Sequence, residues 1–153
     1  MAKFLTDKEI KWAKRYMSMA DLVGSWSSCL SRKVGCIITV DRRVVATGYN
    51  GAPAGIPSCR ETGFCLREGS PSGENLDVCW AVHAEQNAIT WAAKSETALK
   101  GGDIYVTTFP CSTCMKLIIS SGIKRVFYGE DYNSPLSRQL AEKAGIEIYR
   151  VKV

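Results

Sequence analysis

The chain has 153 residues, 46% of them hydrophobic and 23% charged, with a formal net charge of +5. That length fits one domain with a buried core, and the composition is that of a globular protein, not of a disordered or fibrous one. No run of about 18 apolar residues is present to span a membrane. The 20 Lys and Arg are scattered rather than gathered in a tract, so a solvated surface explains the charge better than a nucleic-acid footprint does.

Thr6-Asp7-Lys8-Glu9 matches a capping box, so a helix starts near residue 6. Ile10, Ala13, Met17 and Ala20 form one apolar stripe along it, and Trp12, Tyr16, Met19 and Val23 a second. Two stripes predict burial on more than one side. Residues 34–40 read as a buried strand, 41–43 as a turn and 44–49 as a second strand, which makes a hairpin. Residues 51–81 show no periodicity and hold many Gly, Pro, Ser and Cys; they are read as a Cys-rich insertion. A helix is expected over about 83–95, a strand over 103–107, and a helix over 111–121 ended by Gly122. A strand over 123–128, a helix over 135–144 ended by Gly145, and a strand over 146–151 complete the chain. This order predicts one α/β domain over 1–153: a five-stranded mixed sheet in a three-layer α-β-α sandwich, its parallel strands joined by right-handed crossovers. The opening residues from Met1 to Asp7 lack the apolar core of a signal peptide, which places the chain in a reducing compartment, most simply the cytoplasm. Its seven cysteines then read as metal ligands before disulfides.

Two short segments carry the chemistry: His83-Ala84-Glu85 and Pro110-Cys111-Ser112-Thr113-Cys114. One imidazole and two thiolates leave a tetrahedral zinc with an open position, the mark of a catalytic rather than a structural site. Zinc lowers the pKa of water to roughly 7, and a carboxylate two residues after the histidine can move protons beside it. His83 is the sole histidine of the chain, so its place in the motif is not diluted by others. His83 and Cys111 each open a predicted helix, whose N-terminal amides favour thiolates at Cys111 and Cys114. Those two cysteines stand one helical turn apart and so face one point.

His-x-Glu followed by Pro-Cys-x-x-Cys resembles the zinc deaminases of nucleobases, in which the glutamate shuttles protons during hydrolytic loss of ammonia. Over about residues 8–150 the chain is similar to the deoxycytidylate (dCMP) deaminases of the cytidine deaminase-like superfamily. The likeness rests on Val34-Gly35, Gly48-Tyr49-Asn50-Gly51, the segments 83–89 and 109–114, and Gly122-Ile123-Lys124. The Gly-Tyr-Asn-Gly element is what points to the deoxycytidylate branch. The resemblance implies Glu85 as catalytic acid–base and His83, Cys111 and Cys114 as zinc ligands. It implies Asn50 on the deoxyribose or base, Ala84 in backbone contacts beside the metal, Phe109 in the pocket wall and Tyr132 closing over the nucleotide. Arg32 and Lys33 are the candidates for the phosphate. It further implies a homo-hexamer activated by dCTP and inhibited by dTTP. The loop at Gly51, Ala52, Pro53 and Gly55 could seat the triphosphate with Mg2+, or could simply shape the pocket rim.

Cys36 lies inside a strand and reads as a small hydrophobe. Cys29, Cys59, Cys65 and Cys79 remain, three of them in a loop of about 30 residues, a length that needs a staple or a function. Four thiolates on one structural zinc would be such a staple, as in similar bacterial and phage deaminases; scattered free thiols are the alternative. Competing functional readings are another deaminase of the superfamily, acting on dCTP, free cytidine or tRNA adenosine, and a zinc-stabilised binding module without activity. Intact Glu85 speaks against the last.

Overall fold

The computed structural model describes residues 3–153; Met1 and Ala2, which open the segment read for a signal peptide, lie outside the described residues. Helix α1 spans Asp7–Gly24 behind an N-cap at Thr6. Thr6 and Glu9 exchange bonds: the Thr6 N–H donates to Glu9 Oε2 at 2.9 Å, and the Glu9 N–H donates to Thr6 Oγ1 at 3.2 Å. The helix buries Ala13, Tyr16, Met17, Ala20 and Val23. The two sequence stripes thus merge into one broad buried face, and Ile10 and Met19 fall outside it, exposed.

Strands β1 (Gly35–Val40) and β2 (Arg43–Tyr49) form the expected hairpin, antiparallel, with Asp41 and Arg42 at positive φ in the turn. A one-turn helix α2 (Cys59–Thr62) and a 3-10 turn (Leu76–Val78) interrupt the irregular segment. Helix α3 (Ala84–Lys94), β3 (Asp103–Thr108), α4 (Ser112–Ser120), β4 (Arg125–Glu130), α5 (Pro135–Ala144) and β5 (Glu147–Arg150) follow. The sheet order is β2-β1-β3-β4-β5; β1 is antiparallel to both neighbours, whereas β3, β4 and β5 run parallel. The mixed five-stranded sheet agrees with the sequence reading.

Strand periodicity assigns the two faces. Ile37, Tyr105 and Phe127 point to α1, while Cys36, Ile38, Ile104, Val106 and Val126 point to α3, α4 and α5. Central strands buried on both faces explain their unbroken apolar runs. Each fully buried Ile or Phe contributes about 1.5–3 kcal/mol. The predicted strand at 123–128 begins two residues late. The Lys124 N–H donates to the Gly102 carbonyl and the Lys124 carbonyl accepts from the Glu147 N–H, bonds that lead directly into the β3–β4 and β4–β5 ladders beginning at Arg125. Cβ-free contacts set two spacings. A Cβ on Gly35 would fall 1.9 Å from the Ala20 carbonyl oxygen, and one on Gly48 would fall 2.2 Å from that of Ala84. Glycine at these positions lets α1 and α3 lie close against the hairpin.

Candidate metal and catalytic site

The site is built at two helix starts. His83 is the N-cap of α3, with extended backbone and an N–H that donates to Gln86 Oε1 at 2.8 Å. Cys111 is the N-cap of α4, and Cys114 sits in its first turn. The caps leave both side chains free of helical packing and turn them to one point. His83 Nδ1 lies 3.6 Å from Cys111 Sγ and 3.3 Å from Cys114 Sγ. Among the described residues, these three form the group whose ligand atoms all lie within 4.8 Å of one another.

That geometry fits a metal. Ligands at about 2.0–2.3 Å on one tetrahedral zinc stand roughly 3.5 Å apart, which is the spacing of the imidazole nitrogen and the two sulfurs. The donor set, two thiolates and an imidazole, is the one zinc prefers. The electrostatics agree. Cys111 is lowered to about 4, first by the hydrogen bond it receives from Cys114 and, against desolvation, by that from His83. Cys114 is raised correspondingly, first by its bond to Cys111 and then by burial. Cys111 is thus the readier thiolate of the two, and a cation replacing the proton between them would hold both as thiolates. His83 is raised, first by its bond to Cys111, with desolvation opposing.

Glu85 is 5% exposed in the first turn of α3. Burial pushes its carboxyl up to about 7. Such a carboxyl can both accept and release a proton near neutrality. A cavity of about 280 Å3 opens onto His83, Glu85 and Cys111. Ala84, Phe109, Asn50, Tyr132 and Arg32 line it too. Phe109 is buried, meets Tyr128 edge-on at 5.0 Å, and has the Arg138 guanidinium 4.1 Å above its ring. Asn50 does more than face the cavity: its Oδ1 accepts from the Val34 N–H at 2.8 Å and its Nδ2 donates to the Arg32 carbonyl at 2.7 Å. One N–H and one lone pair of that amide remain for a ligand.

Other candidates are placed apart. Lys33 borders a second cleft of about 560 Å3, with Asp21, Glu130, Arg150 and Lys152, and does not line the cavity at Glu85. Gly51 and Ala52 line a small cavity of about 40 Å3 together with Cys29, Cys59, Cys65 and Cys79. Pro53 and Gly55 are exposed, Gly55 at φ 87°. The four cysteines are neighbours, since Cys29, Cys65 and Cys79 each add, after burial, to the raised pKa of Cys59. They do not converge as tightly as the His83 group. Sequence reasoning missed Arg67, Ser70 and Ser72, which bring the insertion to the catalytic cavity. A cation inside the Cys-rich segment was the one signal for them.

The model of the cytidine and deoxycytidylate deaminase zinc-binding region family matches residues 10–130 of the chain. The deoxycytidylate deaminase of Schizosaccharomyces pombe is 39% identical over 140 residues, 90% of this chain; the chain spans only 43% of that protein. ComE operon protein 2 of Bacillus subtilis is 37% identical over 148 residues, 95% of this chain and 74% of that protein. The crystal structure of the dCMP deaminase of cyanophage S-TIM5, in complex with dCMP and dUMP, superposes with a TM-score of 0.78 at 30% identity. That match covers 96% of this chain and 99% of the other.

Proposed function

The chain belongs to the cytidine and deoxycytidylate deaminase family, and on that premise we propose that it hydrolyses dCMP to dUMP and ammonia, supplying dUMP for thymidylate synthesis. The observation that carries the reading is Glu85. It is a buried carboxyl, poised near neutrality, beside His83, Cys111 and Cys114 on the floor of a nucleotide-sized cavity. Zinc, when bound by these three residues, supplies a Lewis acid that brings the pKa of water near 7. Glu85 takes the proton that water gives up and delivers it to the ring nitrogen of cytosine. It then moves a proton to the departing amine, so that water is consumed and ammonia released. Ala84 places its backbone beside the reacting carbon, and Phe109 supplies a flat apolar wall. The free half of the Asn50 amide faces the deoxyribose or base, and Tyr132 closes over the nucleotide. The relatedness of the dCMP-bound phage enzyme supports the choice of substrate. Loss of absorbance on deamination, followed for dCMP, dCTP, CMP, deoxycytidine and tRNA, tests it. The highest kcat/KM is expected for dCMP, and equal values for dCMP and deoxycytidine would refute the monophosphate preference.

Finer features of the reading follow from the same family. The four-cysteine cluster holds a second, structural zinc, supported by its shared cavity and by the contribution of the other three thiols to the raised pKa of Cys59. The adjoining loop at Gly51 and Ala52, with Pro53 and Gly55 beyond it, seats dCTP with Mg2+ as activator and dTTP as inhibitor. The protein assembles as a hexamer, supported by exposed Leu22, Trp26 and Trp91. It works in the cytoplasm, where seven free cysteines stay reduced. No helix among the described residues is long and apolar enough to cross a membrane. A sigmoidal dCMP curve made hyperbolic by dCTP checks the regulation, and hyperbolic kinetics without response to either nucleotide leaves the loop as a pocket rim.

A further inference from the structure

A neutral nucleoside leaves one part of the catalytic cavity unexplained. Arg32 and Arg67 both line it, Arg32 from the segment just before β1 and Arg67 from the insertion before α3. Among the described residues neither has a carboxylate within 4.0 Å, whereas Arg125 and Arg138 are each paired with aspartate. Two guanidinium groups lining one cavity make its mouth positive and favour an anion between them. Arg67 is also held in place. Its Nε donates to the Glu74 carbonyl at 3.0 Å and its Nη2 to the Pro71 carbonyl at 3.5 Å. The other N–H groups of its five-donor fork have no acceptor among the described residues. The hydroxyls of Ser31, Ser70 and Ser72 line the same cavity and add neutral donors. Lys33, the other basic candidate, lines only the second cleft, which Arg32 borders as well, and does not reach this cavity.

We propose that Arg67, fixed by the carbonyls of Glu74 and Pro71, acts with Arg32 as the recognition pair for the 5′-phosphomonoester of the substrate. The Cys-rich insertion is thereby a wall that determines specificity, and not only a stapled loop. A guanidinium fork matches the tetrahedral oxygens of a phosphomonoester dianion, which lysine meets only as a point charge. The role of the cysteine cluster follows: it holds the turn from Cys65 to Cys79 against the cavity, and with it Arg67. This inference rests on the reading of the chain as a nucleoside monophosphate deaminase.

The experiment compares kcat/KM for dCMP and deoxycytidine in wild type, Arg67→Gln, Arg67→Lys and Arg32→Gln. Hydrogen bonds to a charged group carry enough energy that losing one such partner lowers kcat/KM for dCMP by about 10- to 100-fold. The expected result is that loss in Arg67→Gln and Arg32→Gln, with deoxycytidine altered less than about threefold, and partial recovery of dCMP turnover in Arg67→Lys. Equal losses on both substrates would show that Arg67 only ties the loop, and would overturn the assignment. Unchanged dCMP turnover in both Gln variants would overturn it as well. Arg32→Gln guards against collapse of the insertion, because no side-chain bond of Arg32 holds that segment among the described residues. A wild type that treats dCMP and deoxycytidine alike refutes the monophosphate reading itself, an outcome distinct from failure of the arginine pair.

Discussion

Gly48→Ala tests whether the closeness of β2 and α3 sets the catalytic geometry. A Cβ at residue 48 would stand 2.2 Å from the Ala84 carbonyl oxygen, 2.7 Å from the Ala88 nitrogen and 3.1 Å from Ala88 Cβ. Ordinary contact starts at 3.4 Å, so α3 or β2 must move by about 1.2 Å. Two of the three opposing atoms are backbone, and no flexible side chain can swing away. The strand is held by its ladder with β1, where Gly48 faces Cys36, and the helix start by Asn87 Nδ2 donating to the Tyr49 carbonyl at 2.7 Å. Overpacking of this kind costs about 1–3 kcal/mol, which for a domain of this size lowers Tm by roughly 2–12 °C. The displaced residues include Ala84 and its neighbours His83 and Glu85, and a misplacement of about 1 Å lowers turnover by about 10²-fold. Differential scanning calorimetry and the dCMP absorbance assay read the two effects separately. A variant with wild-type Tm and kcat would refute the argument that this contact fixes the site.

Glu85→Ala should keep its fold and bound zinc, measured by plasma emission, while turnover falls by at least about 10²–10⁴-fold; near wild-type rates would remove Glu85 from the chemistry. Cys59→Ser should lower the metal content from two zinc ions per chain toward one and reduce thermal stability, and one zinc with unchanged stability in both proteins would leave the four thiols free. Glu9 has a lowered pKa, first from the Thr6 backbone bond and then from the Thr6 hydroxyl and Arg125. Its contribution to stability is present above the ordinary carboxylate pKa near 4.5 and is lost as pH falls through the lowered value. Glu9→Gln should therefore lower Tm at pH 7 and match wild type in strong acid; a deficit independent of pH would assign the effect to packing.

Much of this was legible in the sequence, for identifiable reasons. Thr6 and Glu9 mark a helix start through their own side chains, and the apolar runs at 34–40 and 103–107 mark strands buried on both faces. The zinc group was legible because His83, Cys111 and Cys114 each act from a helix start, where short spacing fixes direction. The cavity wall was not. Arg67 reaches it through a loop whose shape follows from turns at Gly63, Gly69 and Gly73, all at positive φ, and no periodicity encodes such a path. Lys33 adjoins Arg32 in sequence, yet Arg32 borders both clefts and Lys33 only the second, a difference that two adjacent basic residues in an irregular segment do not reveal. The Asn50 amide lines the cavity as expected of a ligand contact, and its second role, tying residues 32 and 34 to the end of β2, was not legible in the sequence.

The sheet has a seam that bears on how the chain reaches its native state. The hairpin β1–β2 is local in sequence, and β3, α4, β4, α5 and β5 form a second local unit over 103–150. Within the sheet, among the described residues, the β1–β3 ladder alone joins them, with Cys36 opposite Val106, so its formation closes a loop of about 70 residues. Such closure is opposed by an entropy that grows as about (3/2)RT ln n, and nonlocal pairings of this kind slow folding. His83 precedes the seam and Cys111 and Cys114 follow it. A cation held by all three binds the two halves only once they have docked, so it slows their separation more than it speeds their encounter. Metal loading should therefore register chiefly in the unfolding limb of the chevron, and the catalytic centre doubles as the latch of the last assembly step.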